Sequence, residues 1–246
     1  HDDIGWGLDY PWLNRRFGFD EAAHKKYLND YFTGKWPGSP SRGELYNDDP
    51  RLGDARLCGT TASLCGVEAA VYEQDPFQLE RAVSCDLTLH AWMLSQSGIP
   101  VIYSGDEVGQ LNDYTYHDDP DKRDDSRYIH RGNFQWELAE LRTDGSTRQG
   151  KQFQGLRRLE QLRAQEPCFD SRADVWVEDS GSNHVLALCR KLEDRELICL
   201  FNFSGEFVHA GVQRDGCWSE LMYGVHHDQI RDVELYPYGF AWLVRE

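Results

Sequence analysis

The sequence predicts an α/β protein that carries an element of a parallel sheet or barrel, followed by a small antiparallel β domain. Three observations predict it. Leu79, Val83, Leu87, His90, Ala91 and Leu94 recur at helical spacing over Phe77–Gln96. A two-residue turn, Ser97-Gly98, then leads into Ile99-Pro100-Val101-Ile102-Tyr103, an apolar run without alternation, as expected of a strand buried on both faces. Beyond residue 170 the texture changes to short apolar or alternating runs separated by Gly, Asn and Asp.

Composition narrows the function classes. The chain has 246 residues, and 26 Lys+Arg against 42 Asp+Glu give a net charge of −16. Eight Trp, 12 Tyr and 11 Phe are too many large apolar residues for a disordered chain. No run approaches the ~20 apolar residues of a membrane span. The negative charge sets up long-range repulsion from phosphate backbones and anionic lipid, so neither nucleic acid nor membrane is expected as a partner. Seven scattered cysteines without a C-x-x-C pair read as reduced, mostly buried thiols in a cytoplasmic protein. The opening His-Asp-Asp has no features of a secretory signal.

In chain order, residues 4–56 are rich in turn formers and aromatics and read as an irregular insertion with short helices, one around Glu21–Phe32. Asp75-Pro76 breaks the chain, and Asp75 is placed to cap the helix that follows. Ser104-Gly105-Asp106-Glu107 closes the apolar run at 99–103. The charged segment Asn112–Asn133 is long enough to be a functional loop. A second helix is expected over Ser146–Gln165, with Phe153, Leu156, Leu159 and Leu162 on one face and Glu166-Pro167 as its stop. Strands are expected at Asp174–Val177, Val185–Cys189, Leu197–Phe203, Phe207–Val212, Val233–Leu235 and Phe240–Val244. Trp92, Trp176, Trp218 and Trp242 read as core residues.

Three polar clusters could carry chemistry: His1-Asp2-Asp3, Gly53-Asp54-Ala55-Arg56 and Lys122-Arg123-Asp124-Asp125-Ser126-Arg127. Each alone reads as a solvated, salt-bridged surface. Together, in the order HDDIGW, GDARLCGT, SGIPVIYSGDEVGQLND and KRDDSRYIHR, they resemble the amylosucrases and their sucrose-hydrolysing relatives in the α-amylase superfamily, glycoside hydrolase family 13. The resemblance covers residues 1–165 and continues more weakly beyond.

That resemblance implies the C-terminal part of a (β/α)8 barrel with an inserted loop domain, followed by an antiparallel β-sandwich. Residues 1–3 would end barrel strand seven, 4–65 would form the loop domain, 66–166 the last helix, strand and helix units, and 167–246 the sandwich. It implies a retaining enzyme that takes the glucosyl unit of sucrose and passes it to an α-glucan, an oligosaccharide or water. Such chemistry needs a nucleophilic carboxylate and a general acid. The family places both upstream of His1, so a missing N-terminal barrel half is implied as a partner. The alternatives are a sucrose hydrolase or other α-glucosidase of the same superfamily, and a noncatalytic carbohydrate-binding fragment lacking the nucleophile and general acid.

By the same resemblance Asp2 is the transition-state stabiliser, gripping ring hydroxyls, and His1 donates to the same ring. Asp3 and Arg56 line the acceptor side, and Arg127 closes the glucosyl end of the pocket. Lys25 stands where amylosucrases carry an arginine, keeping the charge without the planar fork. Glu107 takes a loop role. No cofactor and no metal are implied, and His226-His227-Asp228 reads as a turn between strands.

Overall fold

A computed structural model describes residues 4–246, which form two compact units. One contains the chain up to Ala82 plus Tyr103–Glu140, the other Val83–Ile102 plus Leu141–Glu246.

The first unit opens with the short strand β1 (Ile4–Gly5) and helix α1 (Tyr10–Phe17). Asp9 caps α1, and the left-handed Gly18 ends it. Helix α2 (Glu21–Phe32) starts where Asp20 accepts the Ala23 N–H at 2.8 Å, and its bounds match the expected helix. The insertion also holds a hairpin that composition did not suggest: β2 (Glu44–Asp49) and β3 (Asp54–Cys58) pair antiparallel, with β3 central in the order β1-β3-β2. Two short helices follow, α3 (Thr61–Leu64) and α4 (Val67–Glu73).

Helix α5 (Pro76–Ser95) runs on from them. Asp75 Oδ1 accepts the N–H groups of Phe77 and Gln78 at 3.0 Å each, the expected cap. The charged segment after residue 112 folds into two 3₁₀ turns, Tyr114–Asp118 and Ser126–His130, and a one-turn helix α6 (Trp136–Ala139) follows.

The second unit is built on a sheet with both faces covered. Helix α7 (Arg148–Gln165) is capped by Thr147, whose hydroxyl accepts the Gly150 N–H. The strands are β4 (Asp174–Glu178), β5 (Val185–Leu192), β6 (Arg195–Asn202), β7 (Val208–Ala210), β8 (Trp218–Glu220), β9 (His226–His227), β10 (Val233–Leu235) and β11 (Phe240–Arg245). Six of them form one antiparallel sheet in the order β4-β5-β6-β11-β8-β9, and β7 pairs with β10 in a separate ribbon.

Alternation along the central strands explains the layering. Ala187, Cys189, Ile198, Leu200, Ala241 and Leu243 point to one core with Val233 and Leu235 of the ribbon. Leu188, Leu197, Cys199, Phe201 and Trp242 point to the other, with Ala91 and Leu94 of α5 and Leu159 and Leu162 of α7. Each such fully buried Leu or Phe contributes roughly 1.5–3 kcal/mol by transfer from water. Trp218 and Trp242 are fully buried as expected, whereas Trp92 lies on the outward side of α5 and is exposed. His226-His227 is the edge strand β9, not a turn.

The carboxyl end of α5 is held by two arginines. Arg190, fully buried on β5, donates from Nε to the Cys168 carbonyl at 2.6 Å, from Nη1 to Ser95 O at 2.8 Å and from Nη2 to Asp170 O at 3.2 Å. Arg163 donates to the carbonyls of Leu94, Gln96 and Gly98. Cations at a helix C-terminus satisfy its orphan carbonyls and oppose its dipole.

The run Ile99–Ser104 corrects the expected buried strand. It carries no sheet pairing, and Ile99 and Val101 are 93% and 73% exposed. A parallel strand exists only through hydrogen-bonded neighbours, and no strand lies beside this run among the described residues.

Candidate functional site

The strands of the first unit bring Arg56 into a row with two cross-strand neighbours. Arg56 on the central strand β3 pairs with Gly5 on one side and Tyr46 on the other. Directly opposed residues share a face of a sheet, so the exposed Arg56 side chain runs across this row. A methyl group added at Gly5 would come within 2.8 Å of Arg56 Nη1, so glycine leaves room for the guanidinium to lie over the backbone.

Arg127 reaches the same row from the charged loop. Its guanidinium lies over the Tyr46 ring, 4.3 Å from the centroid. Asp125 fixes the plane: Nε donates to Oδ1 and Nη2 to Oδ2, both at 2.8 Å. Hydrogen bonding from Arg127 holds the Asp125 carboxyl below its usual range. This bidentate pair within the loop is the salt-bridged surface that the charge pattern alone suggested.

Packing and hydrogen bonds anchor the loop to the hairpin. Tyr116 and Ile129 bury against Cys58, with Tyr46 and Tyr128 at the margin. Ser126 Oγ donates to Leu45 O at 2.7 Å. Glu44 accepts from the Tyr116 hydroxyl and lies 3.1 Å from His117 Nε2. Burial, then the Glu44 carboxylate, pushes the Tyr116 phenol well above its ordinary value, so it stays a neutral donor. Asn112 closes the loop's base, accepting the Thr60 N–H at 2.8 Å and donating to Arg42 O at 2.6 Å.

The GDAR turn is held from α2. Asn29, buried on that helix, donates to Gly53 O at 2.8 Å and accepts from Trp6 Nε1 at 2.6 Å. Gly53 has φ +65°, and a Cβ there would sit 2.9 Å from Ala22 O, so close approach and backbone angle both demand glycine. Lys25 is turned to the same purpose. Its ammonium pairs with Glu21 at 2.9 Å and Asp54 at 3.5 Å, and the side chain is 12% exposed.

Of the expected site residues, Arg127 lies over Tyr46, while Arg56 stands opposite Tyr46 in the sheet with its guanidinium beside Gly5. His1, Asp2 and Asp3 lie outside the described residues. Glu107 accepts the Gly105 N–H at 2.7 Å within its own turn. The sequence reading did not single out Tyr46, Gly5, Glu44 or Tyr116. The only signal for Tyr46 was an aromatic residue in an otherwise polar stretch.

Several solved structures are similar to this chain in fold. AmyP in complex with maltose matches 69% of this chain and 35% of its own at 20% identity, with a TM-score of 0.54. An isomaltulose synthase mutant from Erwinia rhapontici, in complex with its natural substrate sucrose, matches 70% and 39% at 18% identity and 0.53. The trehalulose synthase MutB from Pseudomonas mesoacidophila matches 65% and 38% at 17% identity and 0.51. The chain shares its fold with these enzymes over the matched part. Within that (β/α)8-barrel fold it corresponds to a C-terminal portion, with the antiparallel sheets after the last helices. The chain spans between a third and two fifths of the length of these α-amylase-fold proteins. No family model matches it. No described helix is long and apolar enough to cross a membrane.

Proposed function

We propose that the chain belongs to glycoside hydrolase family 13 and is part of a retaining, amylosucrase-like enzyme that takes the glucosyl unit of sucrose and passes it to an α-glucan or to water. The observation that carries this reading is Arg127 held over Tyr46, the residue paired across the sheet with Arg56. A planar cation beside an aromatic ring suits a neutral, hydroxyl-rich ligand: the exposed Arg56 fork can hold neighbouring hydroxyls, and the ring can face the C–H side of a sugar.

In this reading Arg127 bounds the glucosyl pocket and Arg56 the acceptor side. Asp2 grips the ring hydroxyls through the transition state, His1 donates to the same ring, and Asp3 lines the path of the leaving fructose. The nucleophile and general acid come from the barrel half that the family places before His1. The division at 4–65, 66–166 and 167–246 into loop domain, barrel units and sandwich belongs to the same reading.

Sucrose hydrolysis is the second reading, favoured by Lys25. Its ammonium is committed to Glu21 and Asp54 and offers no bidentate fork to a growing chain. The test is sucrose turnover by the protein expressed from its complete reading frame. Fructose release with glucan supports transfer, and equimolar glucose supports hydrolysis. Absence of fructose release from a folded protein would overturn both, as would full turnover by Asp2→Asn.

A further inference from the structure

The β domain of the second unit carries a groove that the site on Arg56 and Arg127 does not use. It encloses about 450 Å³, within the range of small-molecule sites. Its lining includes Leu87, Val225, His227, Glu234, Tyr238 and Phe240, and no Lys or Arg is among the residues that form it. Tyr223 and Tyr236 also line it and are 82% and 63% exposed. Exposed aromatics beside a groove mark binding surfaces more often than folding needs do. Tyr236 is paired at 5.0 Å with Phe207, itself exposed, so it presents a continuous aromatic edge.

Both aromatics stand on hydrogen-bonded turns. Tyr223 stands in the β8–β9 turn, where the Glu220 carboxylate accepts the N–H groups of Met222 and Tyr223 at 2.9 and 2.7 Å. The turn is tied outward by Leu221, whose N–H donates to Trp242 O at 2.8 Å and whose carbonyl accepts from Arg158 at 3.0 Å. Tyr236 opens the turn Tyr236-Pro237-Tyr238-Gly239, in which Tyr238 is held at φ +50°. Thr88 donates to the Tyr238 carbonyl at 2.5 Å, and the Tyr238 N–H donates to Ser204 O at 2.9 Å. A non-glycine residue in the left-handed region is retained where the surrounding structure enforces it, and such positions gather at ligand clamps.

We infer that this groove binds a linear, neutral oligosaccharide, with pyranose faces stacked on Tyr223 and Tyr236 and hydroxyls bonded to Glu234 and His227. The absence of lysine and arginine from the lining disfavours an anionic ligand, and an uncharged polyol suits aromatic faces beside a carboxylate and an imidazole. Only the sugar class of the ligand rests on the proposed function.

The test is titration of the full chain with maltoheptaose, followed by calorimetry and by amide chemical shifts. Saturable binding is expected, with shifts at Tyr223 and Tyr236. Tyr223→Ala and Tyr236→Ala should each weaken it roughly five- to tenfold, whereas Tyr236→Phe, which keeps the stacking face, should stay within about twofold. Both side chains are exposed, so the variants should keep the wild-type melting temperature. Tyr72→Ala, at an exposed tyrosine outside the lining, should leave the titration unchanged. No saturable binding, an affinity indifferent to both groove alanine variants, or the same weakening in Tyr72→Ala would each overturn the inference. Sucrose turnover by the complete protein is read separately, so failure of this groove leaves the proposed activity standing, and the converse holds.

Discussion

The guanidinium carbon of Arg127 lies 4.3 Å from the centroid of the Tyr46 ring. The contact joins a loop residue to a hairpin residue far away in sequence, and Tyr46 is also the cross-strand partner of Arg56. Tyr46 and Asp125 together orient Arg127, the ring beneath its guanidinium and the carboxylate in its plane. The expected consequences for binding and stability can be separated.

Arg127→Lys keeps the charge and loses the planar fork. In the complete protein kcat/KM on sucrose should fall at least about tenfold, the scale of a lost charged, bidentate contact. The melting temperature should move by no more than about 3 °C, since Arg127 is partly exposed. Steady-state kinetics beside a thermal melt checks it, and wild-type kcat/KM would remove Arg127 from the pocket.

Gly5→Ala puts a methyl group against the far end of a flexible side chain, Arg56 Nη1. Stability should change by less than about 1 kcal/mol, because the guanidinium can swing aside. The partition between transfer to an acceptor and hydrolysis should shift as Arg56 moves. An unchanged product ratio, measured by chromatography, would mean that the position of Arg56 does not matter to the acceptor.

Arg190→Leu removes the donors that serve three buried carbonyls, those of Ser95, Cys168 and Asp170. The loss should be about 3 kcal/mol, typical of breaking a buried charged network from one side. Urea unfolding reads it as a lower midpoint with an unchanged slope. A loss under about 1 kcal/mol would show that water or a rearranged helix end replaces the arginine.

Glu166 is buried, which pushes its carboxyl up, but the paired hydrogen bonds from Arg195 at 2.7 Å outweigh this and hold it below its ordinary value. A depressed folded-state value means that the pair stabilises the fold above the unfolded carboxylate range near pH ~4.3, and that this stabilisation disappears as pH falls through the folded value. Wild type should therefore exceed Glu166→Gln in stability from pH 8 to 5, with the gap closing below about pH 4. Urea midpoints across that range test it. A gap that stays constant into acid would assign the effect to packing.

Helices with strong punctuation were legible from sequence. Asp75 announced α5, and Glu166-Pro167 stopped α7 at Gln165. The strands β5, β6 and β11 were legible as apolar runs. The hairpin of β2 and β3 was not, because ELYNDD and DARLC lack a sustained alternation. It is made by the turn at Gly53 and the hold of Asn29, which are contacts between distant residues. Arg56 and Arg127 could be picked out only through their family strings, since a lone arginine near a turn is ordinary. Tyr46, over which Arg127 lies, carries no such string.

The run from Ile99 to Ser104 bears on how this polypeptide behaves in a tube. An extended stretch whose isoleucine and valine face water, with main-chain groups outside any ladder, is a template for a second chain. Concentrated solutions of residues 1–246 should therefore self-associate, with sedimentation coefficients that climb on raising concentration. Val101→Lys should return the particle to monomer by placing a charge on the sticky edge.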